Sequence, residues 1–160
     1  MSYLYLMLSQ TAEYALRAAI YLASVTPEVK TASAISEVVK IPVPYLSKVL
    51  QNLARGRIVA SQRGLHGGFS LARPADEISV LDVVNCVDNL NRPSHCPLGI
   101  PEHIGLCPLH RRLDEAISEL QKSLGQTTLQ EMLEPTAEGI VPLIGKQKIM
   151  RKRSSRPLAV

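Results

Sequence analysis

Between residues 31 and 73 the sequence reads TASAISEVVKIPVPYLSKVLQNLARGRIVASQRGLHGGFSLAR, and no other stretch restricts the fold as much. Ala34, Ile35, Val38 and Val39 can line one face of a short helix. Thr31 is placed to cap that helix, and Ile41-Pro42 closes it, because proline disfavours helical geometry in the residue before it. Leu46, Val49, Leu50 and Leu53 then recur at i, i+3, i+4 and i+7, which predicts a second helix at once. Two short helices on a tight turn suit a helix-turn-helix, whose second helix lies in the DNA major groove. Residues 57–61 and 69–71 read as short strands. Gly64, Gly67 and Gly68 at the tip between them are expected to supply positive-φ freedom. The expected fold class is mostly α with a small β-hairpin wing: a winged helix-turn-helix followed by a long dimerisation helix.

The charges agree. No Asp or Glu occurs between Glu37 and Asp76, whereas Lys40, Lys48, Arg55, Arg57, Arg63 and Arg73 do. The formal net charge of +4 averages unlike segments: −1 over 1–37, +6 over 38–75, −6 over 76–134 and +5 over 135–160. A solvated basic helical domain would share the charge, but not its coincidence with helix-turn-helix and wing patterns. Together these point to double-stranded DNA as the partner. Tyr45, Ser47, Lys48 and Gln51 lie off the apolar stripe of the second helix, whose early residues touch base edges in this geometry. Gln51 can bond adenine, and Lys48 guanine or phosphate. A purely phosphate role for both stays open, since half or more of such bonds go to the backbone. Arg63 and His66 project from the wing tip, where an arginine enters a minor groove, and Gly67 belongs to the turn that presents them.

Hydrophobic residues make up 46% of the 160, but only six are aromatic and none is Trp, so the core must be aliphatic. No apolar run approaches the roughly 18–20 residues of a membrane span. The apolar residues 1–8 lack a basic leader and a small-residue cleavage site, so a cytoplasmic protein without a signal peptide is expected. No nucleophile–base pair, phosphate loop or paired catalytic carboxylates appear, which argues against an enzyme. Small residues at 12, 15, 19 and 23 predict a closely packed first helix over 10–23. A valine-rich helix is expected over 78–90, a proline-broken loop over 91–108 and an amphipathic helix over 109–124 ended by Gly125. The narrow stripe of Leu109, Leu113, Ala116, Ile117, Leu120 and Leu124 suits pairing with its copy in a twofold dimer, or packing on its own domain. Thr128 to Glu131 offers a capping box. The expected division is 1–85 for DNA binding, 86–134 for sensing and dimerisation, and 135–160 as a basic, disordered tail.

Three cysteines within 22 residues favour a metal site or thiol chemistry over a disulfide framework. Cys96, Cys107 and His110, with His110 three positions after Cys107 on a turn entering a helix, form a reasonable half-site. Cys86, among valines, is either core or a further ligand.

The motifs Thr11-Ala-Glu-Tyr-Ala-Leu-Arg-Ala-Ala-Ile-Tyr-Leu-Ala23, Pro44-Tyr-Leu-Ser47 and Arg63-Gly-Leu-His-Gly-Gly-Phe-Ser-Leu-Ala-Arg73 resemble the IscR/NsrR/CymR family of bacterial winged-helix regulators over about residues 9 to 134. The resemblance implies a homodimeric transcription regulator, repressor or activator. Several members sense through an iron–sulfur cluster. Ser47 and Lys48 stand where a cluster-binding member reads bases with Glu and Gln, so the operator should differ. Cluster-binding members place three cysteines in the loop and a histidine three residues after the last; CPLGIPEHIGLCPLH lacks the middle one. Glu13 stands where a nitric-oxide-sensing member uses an Asp of the other subunit. The expected cofactor is therefore a two-iron, two-sulfur cluster on Cys96 and Cys107, completed by His110 and by Glu13 of the other subunit or Cys86. The alternative is the same fold without a cluster, switched by thiol oxidation, zinc or a partner protein. The family usually has Gly directly before the first wing strand's aliphatic pair. Here Arg57 stands there and Gly56 precedes it, which suggests a helix end shifted by one residue.

Overall fold

The computed structural model describes residues 8–64, 66–88, 90–96 and 105–134. The expectations for residues 1–7, the middle of the cysteine loop and the basic tail fall outside these. Helix α1 (Gln10–Val25) is the central element, starting at Ser9, whose Oγ accepts from the Ala12 N–H. Ten of its 16 residues are buried, from Ala12 to Ala23, and a helix apolar nearly all round belongs inside a core. Its alanines let the neighbouring helices approach closely.

Thr31 caps α2 (Ala32–Val39) through an Ala34 N–H bond of 3.2 Å, and Lys40 in the left-handed region ends it. Helix α3 (Val43–Arg55) follows after Pro42, with Leu46, Val49, Leu50 and Leu53 buried against α1 and α2. Each such burial stabilises by about 1.5–3 kcal/mol. Strands β1 (Val59–Gln62) and β2 (Gly68–Leu71) pair antiparallel, Val59 opposite Leu71 and Gln62 opposite Gly68. Lys30 adds an isolated antiparallel bridge to β2, exchanging both backbone bonds with Phe69, at 2.9 and 2.8 Å.

The glycines of the wing differ from expectation. Only Gly64 has positive φ, at 109°. A Cβ on Gly68 would stand 2.5 Å from the Lys30 carbonyl oxygen, so that glycine is required by close approach. The exit from α3 also departs from the usual pattern. The Ile58 N–H reaches Leu53 O and the Arg57 N–H reaches Ala54 O, a Schellman closure in which Arg57, at φ 57°, holds the left-handed position glycine normally takes.

Helix α4 (Val80–Asn85) is shorter than the expected 78–90. Its start is fixed by the Ser79–Asp82 capping box and by a backbone bridge, Val80 N–H to Thr127 O and Leu129 N–H to Ile78 O, that holds residues 78 and 79 extended. Its valines are poor helix formers, so the helix extends only where Val80, Val83 and Val84 are buried. Helix α5 (Pro108–Gln126) runs through Gly125 instead of ending there, and α6 (Leu129–Met132) is capped by Thr128. Leu129 is fully buried in the same core as α1, so the chain after α5 returns to the winged helix.

Candidate functional site

The outer face of α3 is set by what its inner face buries. With the leucines and Val49 inward, Tyr45 (62% exposed), Lys48 and Gln51 face solvent and Ser47 is half-buried. Tyr45, Lys48 and Asn52 line a groove of about 230 Å³ with Gln10, Thr11 and Tyr14 of α1. At the wing, Arg63 and His66 are exposed, and Gly67 closes the turn by donating to Gly64 O at 2.9 Å. Of the six basic residues between 38 and 75, Arg73 alone pairs with a carboxylate among the described residues, with Asp82 at 3.6 Å. The other five leave their charge available to phosphate.

A second cluster forms where α5 begins. Cys107 is the N-cap residue of α5 and Pro108 its first residue, a favoured place for proline because its missing N–H is not needed there. One turn in, His110 Nδ1 lies 3.0 Å from the Cys107 sulfur and 3.6 Å from the sulfur of Cys96, which is buried. All three donor atoms lie within 4.8 Å of one another. The His110 backbone N–H and ring, aided by the Leu109 N–H and Cys96, lower the Cys107 pKa to about 7. A thiolate at a helix N-terminus is stabilised in this way. The donor set fits a tetrahedral metal centre, whose thiolate bonds of about 2.3 Å bring donor atoms together at nearly this spacing. It supplies three ligands of the four such a centre takes.

The remaining candidates lie elsewhere. Cys86, at the C-cap of α4, donates to Asp82 O at 3.2 Å and packs its sulfur on Gly56. Burial, with Asp82 nearby, pushes its thiol pKa up. Glu13 is buried on α1, 3.7 Å from Arg17. Neither belongs to the cluster of three donors within this chain. Two features escaped the sequence reading. Gly56 carries the Cys86 sulfur, and Arg92 grips Asp114 through two bonds of 2.6 and 2.7 Å. Only the opposite charges of Arg92 and Asp114 could have hinted at their pairing, 22 residues apart.

A family model described as Rrf2, iron-dependent transcriptional regulator, matches residues 8–135. The chain belongs to the Rrf2 family. A predicted HTH-type transcriptional regulator of Aquifex aeolicus is 30% identical over 140 residues, covering 84% of this chain and 96% of the relative. One of Mycobacterium tuberculosis is 36% identical over 132 residues, covering 81% and 76%. Among solved structures, CymR, the global cysteine regulator of B. subtilis, superposes with a TM-score of 0.66 at 22% identity over 79% of this chain and 95% of its own. IscR of T. potens gives 0.65 at 22% identity over 82% and 89%. These structures share the winged-helix fold with this Rrf2 protein. It is a DNA-binding transcriptional regulator, not an enzyme, and no described helix is long and apolar enough to cross a membrane.

Proposed function

We propose that this Rrf2 regulator is a homodimer that senses iron–sulfur, redox or nitrosative state through Cys96, Cys107 and His110 and transmits it to an operator through α3 and the wing. The observation that carries the reading is the convergence of two thiols and an imidazole at the first turn of α5, one thiol with its pKa lowered to about 7. A two-iron, two-sulfur cluster held by Cys96, Cys107 and His110 needs one more ligand, from Glu13 of a second copy or from Cys86. Such a cluster supplies a redox centre whose potential non-thiolate ligands raise. The dimer is supported by the apolar stripe of α5, where Leu109 and Leu113 are 65% and 46% exposed. Ser47, Lys48, Gln51 and Arg63 then contact the operator, with Tyr45, His66 and Gly67 at its edge. The test is the visible spectrum and iron content of anaerobically prepared protein after cluster assembly in vitro. Colourless, iron-free protein refutes the cluster.

A second reading has its own support. Two thiols within 4.8 Å, one readily ionised, are poised to form a Cys96–Cys107 disulfide without metal. Metal-free protein whose operator affinity changes reversibly with thiol oxidation would establish it.

A further inference from the structure

The segment that carries Cys96 meets α5 at three successive points. Leu90 O accepts from Gln121 Nε2 at 2.6 Å. Arg92 donates from Nε and Nη2 to the two carboxylate oxygens of Asp114. Cys96 lies against His110. Residues 90, 92 and 96 thus meet 121, 114 and 110, an antiparallel ladder along one helix. Asp114 stands one turn, about 6 Å, from His110, so the ion pair is the rung next to the sulfur.

A single surface ion pair adds little to stability, so stability does not explain this one. A guanidinium fork on a carboxylate fixes direction as well as distance, which a lysine cannot do. Only three residues separate Arg92 from Cys96, and Pro93 among them stiffens the link. We infer that the Arg92–Asp114 fork is the positioning device of the cysteine site, holding Cys96 in register with Cys107 and His110. The inference rests on reading those three residues as the functional site.

The test uses the metal-free full chain carrying Cys86→Ser. Diamide takes two electrons and two protons from two thiols, which join as the Cys96–Cys107 disulfide, and the linked peptides are followed by mass. Asp114→Asn and Arg92→Lys are each expected to slow disulfide formation by about tenfold, because an untethered Cys96 has a lower effective concentration at Cys107. Alkylation of Cys107 by iodoacetamide should change little, since His110 and Leu109 of α5 do most to lower its pKa and Cys96 least, and the swapped pair Arg92→Asp with Asp114→Arg should recover most of the rate. Wild-type disulfide rates in both single variants overturn the inference. So does faster alkylation of Cys107 together with Cys96, which marks a merely structural role. A cobalt titration of the wild type reads the metal separately: absence of a cobalt–thiolate band removes the metal site, and the diamide rates still decide the fork.

Discussion

Gly56→Ala should damage this protein out of proportion to the one methyl group it adds. Gly56 sits at φ −75°, ψ 1°, a conformation alanine can adopt, so the backbone raises no objection. The obstacle is Cys86. An ideal Cβ on residue 56 would stand 2.1 Å from the Cys86 sulfur and 3.4 Å from its Cβ, against ordinary contacts of about 3.5–4.0 Å. The sulfur belongs to the C-cap of α4 and residue 56 to that of α3, so either the sulfur leaves its rotamer and its bond to Asp82 O or one helix end moves. Overpacking of this kind costs about 1–3 kcal/mol. Cys86→Ala alone loses the contacts of a half-buried sulfur, about 1 kcal/mol. In the double variant the new methyl enters the space the sulfur vacated, so its stability should match that of Cys86→Ala. That is a coupling equal to the whole cost of Gly56→Ala, about 1–3 kcal/mol, in favour of the double variant. Urea unfolding of the four proteins measures it. Gly56→Ala within about 0.5 kcal/mol of the wild type, or strict additivity of the two changes, would refute the packing argument.

The residues proposed to face DNA should separate by role: Lys48→Ala and Gln51→Ala each alter sequence preference by about 1–3 kcal/mol if they make a bidentate base contact, while Arg63→Ala weakens binding most at A/T-rich minor grooves. Gel shifts on operator variants decide this, and an unchanged affinity of Arg63→Ala for every probe would remove the wing from the interface. Replacing Leu113 and Leu120 by lysine should leave a monomer, because burying unpaired charge in a helix–helix seam costs several kcal/mol; the check is solution mass at micromolar concentration. Cys107 has its pKa lowered, so its thiolate fraction, and with it the iodoacetamide rate, should rise with pH and reach half its plateau near about 7. A midpoint near the ordinary value of about 8.5 would show that α5 and His110 do not stabilise the thiolate. Cys96→Ala and Cys107→Ala should each abolish visible absorption of the assembled protein, while Cys86→Ala should retain it if its sulfur serves only to pack on Gly56.

The winged helix was legible in the sequence because its signals are local. Thr31 caps α2, the leucine spacing of α3 fixes its inner face, and Thr128 caps α6, each acting within one turn of chain. The surface proposed to meet DNA follows from the same arithmetic, since burying Leu46, Val49, Leu50 and Leu53 leaves Lys48 and Gln51 outside. What the tertiary structure alone decided lies between segments distant in sequence. The valines of 78–90 carry no mark of where burial stops, so the short α4 depends on the bridge to Thr127 and Leu129. Gly68 is a glycine because the Lys30 backbone passes over it, and Gly56 because the Cys86 sulfur does. Cys96 and His110 stand fourteen residues apart, and nothing in periodicity or capping brings them together. Their meeting needs the return of the 90–96 segment along α5 and the rungs at Gln121 and Asp114 that hold it there. Propensity and amphipathic period act over one or two helical turns, whereas the register of two segments is set by contacts that exist only once both have been placed.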